Sequence, residues 1–302
     1  MENYLIAMLV FAGLYGLMAL GLNIIWGMAG MVNLGLVGFM AVGAYTSAML
    51  TARHAHWPIW AGVLAGTLVA AASGALLVRL TAHLRGDYMA IVSLGFAEAV
   101  RVVAANAIGL TNGTDGISGI PGPWRGALTP GEFNLSFLGL VALALGLALA
   151  LAQRLRFSPY GRVLRAIRDD DQGAEVAGKP VLRFRMQAYA LGAGIIGLAG
   201  ALYGHFNAFV APEIFVPLLT IYIKLGLTLG GTGNNLGAIL GSLLVVALLE
   251  GGRFAAHAIP WLEPVQVAAL REIVIGVLMI LVLRLRPMGL LPEYPPRRPV
   301  AG

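Results

Sequence analysis

Apolar positions in this chain come in long blocks, without the two-residue alternation of a half-buried strand. No Asp, Glu, Lys or Arg interrupts the fifty residues from Asn3 to Ala52, which is too many for one bilayer crossing of about 20 residues. The predicted break is Trp26-Gly27-Met28-Ala29-Gly30, followed by Val32-Asn33-Leu34-Gly35, so that spans cover Tyr4–Ile25 and Val32–Leu50. A glycine turn at membrane depth is expected where backbone lines a cavity rather than lipid. Further blocks predict spans over Pro58–Val78, Tyr88–Ile108, Asn134–Gln153, Gln187–Ala208 and Pro264–Leu283. Ile214–Leu249 is broken by Gly230-Gly231-Thr232-Gly233-Asn234-Asn235 into two more. The run from Gly233 to Gly241 is similar to that from Gly30 to Gly38, either as an internal repeat of the kind that builds a midplane site from broken helices, or as chance likeness in a glycine-rich chain. The expectation is an all-α polytopic membrane protein with about nine transmembrane helices, eight to ten if a glycine-turn pair is re-entrant.

Between the spans over 134–153 and 187–208 lies the one long charged segment. Residues 154–185 hold eight of the 20 Lys and Arg and four of the 14 Asp and Glu. Ser158-Pro159 supplies a capping hydroxyl and a first-turn proline for a short helix over Tyr160–Arg168, with Val163, Leu164 and Ile167 on one face. Asp169-Asp170-Asp171 can start a second helix, ended by Gly178 and Pro180. Two short amphipathic helices suggest a docking element; a solvated loop that obeys the positive-inside rule is the alternative.

Composition agrees with a membrane chain, at 59% hydrophobic and 11% charged residues with 41 glycines. The absence of cysteine excludes disulfides and thiolate metal sites. A net charge of +6 suggests nucleic acid at first, but fourteen of the 20 basic residues fall in segments 79–87, 154–185 and 284–302. That is a topology signal, and it places these segments in the cytoplasm, the N-terminus outside and the C-terminus inside; nine crossings satisfy it. The N-terminus has no basic n-region, so the first span is expected to stay in the mature chain.

Few side chains invite chemistry. His54, His56 and Trp57 lack a third metal ligand nearby and fit an interfacial belt. Glu98 and Arg101 share a helical face inside a span, as a functional charge pair or as a clamp to a neighbouring helix or sister subunit. Lys224 is suited either to snorkelling or to an aqueous path. Gly192-Ala193-Gly194-Ile195-Ile196-Gly197 has the spacing of a dinucleotide fingerprint, but no strand precedes it, and such glycines suit close helix packing. Lys179 is followed by Pro180 and Lys224 by Leu225, so no P-loop exists and ATP must be handled elsewhere. No catalytic residue, cofactor or metal is expected. Asn33, Glu98, Arg101, Lys224, Thr232, Asn234 and Asn235 are the candidates for a translocation path.

The segments L-R-G-D-Y-M-A-I-V-S-L-G-F-A-E-A-V-R (84–101), L-T-N-G-T-D-G-I-S-G-I-P (110–121), R-A-I-R-D-D-D-Q-G-A-E-V-A-G (165–178), G-L-A-G-A-L-Y-G-H (197–205) and R-P-M-G-L-L (286–291) resemble the permease subunits of bacterial branched-chain amino acid ABC importers, LivM type. The resemblance covers nearly the whole chain and implies one permease domain over 1–302, with 154–185 as cytoplasmic coupling loop and 284–302 as cytoplasmic tail. It implies import of leucine, isoleucine and valine across the inner membrane, with a LivH-type sister permease, two ATP-binding subunits and a periplasmic binding protein as partners. By the same resemblance Tyr160, Gly161, Arg162, Arg165, Arg168, Asp169, Asp170, Glu175 and Gly178 would couple to the ATPase. Relatives serving urea, short amides or other small solutes leave a sibling substrate open. An ion-driven secondary transporter using Glu98, Arg101 and Lys224 is the reading from another class.

Overall fold

The structure, a computed structural model, describes residues 2–53, 55–82, 84, 86–258, 264–285 and 288–293. Backbone in hydrocarbon must satisfy its N–H and C=O groups internally, and the described chain is accordingly almost all helix. Helix α1 (Glu2–Leu22) runs on into a π-helical turn at Asn23–Met28, and α2 (Leu36–Ala48) starts afresh after the glycine break. The chain continues through α3 (Ile59–Leu80), α4 (Gly86–Asn106), the single turn α5 (Ile108–Thr111), α6 (Pro130–Phe157), the short α7 (Pro159–Asp169) and α8 (Asp171–Val176), α9 (Val181–Asn207), α10 (Pro217–Gly230), α11 (Asn235–Ala258) and α12 (Pro264–Leu285). Nine of these described helices have 13 or more residues, one for each expected span. Six described helical segments are long and apolar enough to cross a membrane, whereas α2 and the apolar stretch Asn235–Glu250 are shorter.

Side-chain contacts set the directions. Gly13 lies against Val141 and Gly16 against Leu145, so α1 and α6 run parallel. Gly21 meets Gly192 while Phe11 meets Tyr203 and Phe206, so α9 runs antiparallel to α1. Asn23 reaches Asn235 and Gly16 faces Ser242, which makes α11 antiparallel as well. The start of α1 therefore shares one face of the bundle with the loop before α6, and α7 and α8 occupy the other.

Helix α9 is the hub, touching α1, α2 and α3 along its length. Its glycines work by close approach: a Cβ on Gly192 would lie 2.5 Å from the Gly21 carbonyl oxygen, and one on Gly21 2.6 Å from that of Gly192. Helices of equally apolar surface gain little from water exclusion in a bilayer, so this backbone proximity supplies the packing that holds them.

At the face of the α1 N-terminus, β1 (Ile117–Ser118) pairs antiparallel with β2 (Phe209–Val210), with Ile117 opposite Val210. His205 bonds Ser47 Oγ through Nε2 at 2.8 Å and the Pro121 carbonyl through Nδ1 at 2.6 Å. Arg125 donates to the carbonyls of His205 and Phe206 and lies over the Phe133 ring. The Gly/Pro-rich loop is thus strapped over the end of α9. His56 and Trp57 are exposed beside it; His54 lies outside the described residues.

Candidate functional site

The two predicted short helices form as their caps dictate. Ser158 Oγ accepts from Gly161 N at 3.1 Å to start α7, and Asp170 Oδ1 accepts from Gly173 N at 3.0 Å to start α8. Gly178 ends the second with φ +77°. Leu164 and Ile167 are buried and Val163 half-buried, so the predicted apolar face turns toward the bundle. Tyr160 packs on the Phe184 ring, with centroids 5.2 Å apart, and burial pushes its phenol up to about 12. Arg165 donates to the Arg156 carbonyl at 3.0 Å. Arg162, Asp169, Asp170 and Glu175 face water, together with Val176, which is 91% exposed. An apolar side chain that bare, among four charges, marks a surface suited to another protein.

Arg168 turns inward. Its Nη1 donates to the Gly27 carbonyl at 2.5 Å and to Glu293 Oε2 at 2.9 Å, and its Nε to Asp169 Oδ1 at 3.2 Å. Burial pulls this guanidinium down, but the Glu293 and Asp169 carboxylates together hold it above its usual value. Both glycine turns come close to this ion pair. A Cβ on Gly30, at φ +71°, would sit 2.7 Å from Arg168 Cγ, and one on Gly233, at φ +87°, 2.6 Å from Glu293 Oε2. Only glycine combines that backbone conformation with that proximity.

Asn23 ties the turns to each other. Its Oδ1 accepts from Gly233 N and its Nδ2 donates to Asn235 Oδ1, both at 2.8 Å. Asn234 Oδ1 caps α11 by accepting from Leu236 N and Gly237 N, while its Nδ2 donates to the Pro292 carbonyl. Leu290 N and Leu291 N donate at 2.9 Å to the last carbonyls of α10, at Leu229 and Gly230, and so carry Glu293 to Arg168. Lys224 Nζ lies 5.0 Å over the Trp26 ring, joining α10 to the π-turn, and Thr232 is half-buried in the second turn. Lys224, Thr232, Asn234 and Asn235 thus gather with Arg168 at the α7 end of the bundle.

Two groups of candidates lie elsewhere. Asn33 is buried in the non-helical stretch before α2; its Oδ1 accepts from Gly35 N, and its Nδ2 finds no acceptor among the described residues. Around it Leu34 N donates to Ser93 Oγ at 3.0 Å and Val37 N, in the first turn of α2, to Thr220 Oγ1 at 3.3 Å, so side chains of α4 and α10 satisfy backbone N–H groups that have no partner within a helix. Glu98 and Arg101 form a two-bonded ion pair on α4, only half-buried, beside exposed Ile91, Leu94 and Val102. Sequence reasoning passed over Asn23, Glu293, Ser93 and Thr220. Asn23 carried a signal, as a carboxamide near the end of an otherwise apolar span, three residues before Trp26-Gly27.

The family described as branched-chain amino acid transport system / permease component matches residues 4–283. The high-affinity branched-chain amino acid transport system permease protein LivM of Salmonella typhimurium is 34% identical over 94% of this chain and 69% of its own length. The probable branched-chain amino acid transport permease protein LivM of Methanocaldococcus jannaschii is 31% identical over 95% of this chain and 93% of its own. The high-affinity branched-chain amino acid transport system permease protein LivH of Escherichia coli is 27% identical, with coverages of 92% and 91%.

Proposed function

Because the chain belongs to the branched-chain amino acid transport system permease family, we propose that it is the LivM-type membrane subunit of an ATP-driven importer of leucine, isoleucine and valine. The α7–α8 hairpin is the observation that carries the mechanism. Its water-facing side has the mixed charge and bare Val176 that a cytoplasmic ATPase subunit can grip, and its inward Arg168 holds both glycine turns through Gly27 and Glu293. Movement of α7 would pull on the ends of α1, α10 and α11 together, a two-state element biased by the ATPase. The N-terminus then lies outside and the hairpin and tail inside the inner membrane.

Division of labour follows from the chemistry present. The chain has no P-loop, so ATP hydrolysis belongs to separate subunits. The Glu98–Arg101 pair on α4 stands in a face too polar for lipid and too apolar for water, which suits a LivH-type sister permease across a shared path. Asn33, with an unused amide donor beside the break, is the polar group best placed to meet solute when that path opens. A periplasmic binding protein would deliver substrate to the opposite face.

The test is uptake of radiolabelled leucine into proteoliposomes holding this chain with its sister permease, ATPases, binding protein and internal ATP. Uptake that needs the whole set supports the proposal. Uptake by this chain alone would replace it with an ion-driven transporter, and uptake of urea or short amides in place of leucine would move it to a sibling importer.

A further inference from the structure

We infer that a pocket between α8 and the neighbouring ends of α3, α4 and α9 binds an aliphatic α-amino acid from the cytoplasmic side, so that accumulated product restrains its own import. The inference rests on the importer reading above for its biological sense, but the site is argued from its own walls. The cavity holds about 320 Å³, at the small end of the roughly 300–1,000 Å³ usual for small-molecule sites. One wall is ionic, with Asp171 and Glu175 of α8 and Arg185 of α9; another is apolar, with Val78, Met89 and Leu182.

Arg185 is only partly engaged. Its Nη2 donates to Asp171 Oδ2 at 2.8 Å, while its Nε is buried and finds no acceptor among the described residues. The Nε is closed to a ligand, but a guanidinium carries five N–H donors, and with the side chain 28% exposed its terminal nitrogens keep donors for a second carboxylate. Two acidic side chains in the same wall disfavour a simple anion, and the arginine disfavours a simple cation. A ligand carrying both charges satisfies both, with its carboxylate on Arg185 and its ammonium near Asp171 and Glu175. Leu84 and Leu182, 39% and 43% exposed, offer most of the apolar surface, with Val78 and Met89 nearly closed, and a branched aliphatic side chain can cover that surface where a phosphate cannot.

Position turns binding into regulation. Gly30 and Met31 of the first glycine turn also line the pocket, so an occupant would bridge the hairpin, the turn and the bundle. A ligand bound across parts that move relative to one another favours one arrangement by its difference in affinity for the two. Phosphatidylethanolamine headgroups are a second source of zwitterions, but they carry no branched side chain for the apolar wall.

The first measurement is equilibrium binding of radiolabelled leucine to the full chain in nanodiscs free of phosphatidylethanolamine. Saturable binding is expected, weakened at least tenfold by Arg185→Met, which removes the donors, and by Ala82→Phe, which fills the cavity. Leucinamide, lacking the carboxylate, should compete at least tenfold less well than isoleucine. Affinity unchanged in both variants overturns the site, and phosphoethanolamine competing as well as isoleucine overturns it in favour of a lipid headgroup. The second measurement is the ratio of initial uptake rates into leucine-loaded and empty vesicles by the complete importer. A ratio below one half, restored toward one by Ala82→Phe, supports the brake, and equal ratios overturn it. Absence of uptake into empty vesicles would count against the importer reading, while the binding measurement still decides the pocket.

Discussion

Removing Arg168 should uncouple ATP hydrolysis from uptake, and the size of the effect follows from its bonds. The side chain makes two charge-assisted bonds away from its own helix, to the Gly27 carbonyl and to Glu293. Such bonds contribute about 1.5–3 kcal/mol when sheltered. With Arg168 and Glu293 side chains 26% and 21% exposed, solvent screening lowers that to about 1 kcal/mol each. If the clasp transmits the movement of α7, Arg168→Ala forfeits about 2 kcal/mol, or roughly 30-fold in coupled uptake, and Glu293→Gln about 1 kcal/mol, or roughly fivefold. The double variant loses no bond that Arg168→Ala has not already lost, so it should remain near 30-fold. Independent action would multiply the effects to about 150-fold. The assay is leucine uptake and ATP hydrolysis measured together on the reconstituted importer, with hydrolysis within about twofold of wild type in all three variants. Multiplicative losses, or hydrolysis falling in step with uptake, would refute the clasp as the transmitting contact.

Gly192→Val should destabilise the purified chain by about 1–3 kcal/mol, because the new side chain meets the Gly21 carbonyl; an unchanged melting temperature would contradict the packing described. Glu98→Leu should weaken co-purification of the sister permease by leaving Arg101 unpaired at the interface, and Glu98→Leu with Arg101→Leu should restore it; equal recovery from single and double variants would remove the pair from that interface. The Tyr160 phenol is raised from 10.0 to about 12, so the folded chain holds its proton where the unfolded chain has lost it. This stabilisation is present below pH 10 and declines between pH 10 and about 12, so wild type should lose stability relative to Tyr160→Phe in that window. Parallel alkaline denaturation curves would show that the burial of Tyr160 is unimportant.

Much of the site was legible locally. Ser158, Pro159, Asp170 and Gly178 each act within their own turn, so the two short helices could be placed from residue type and spacing. Lys224 could not be resolved in this way, because its partner Trp26 lies on another helix. Glu293 was hidden for the same reason: in sequence it is one acid in a basic, proline-rich tail, and its meaning depends on Leu290 and Leu291 pairing with the end of α10.

The sequence by itself determined an all-helical membrane architecture of about nine long helices, the two glycine breaks and the charged hairpin. Those features follow from the thickness of hydrocarbon and the cost of placing charge or unpaired backbone within it, which act on each segment separately. Only the tertiary structure decided that the two breaks meet through Asn23 and that Arg168 closes over both with Glu293, 125 residues away. Such contacts depend on which helices lie side by side. That choice rests on close approaches such as Gly21 to Gly192, whose partners no local pattern of apolar and polar residues names.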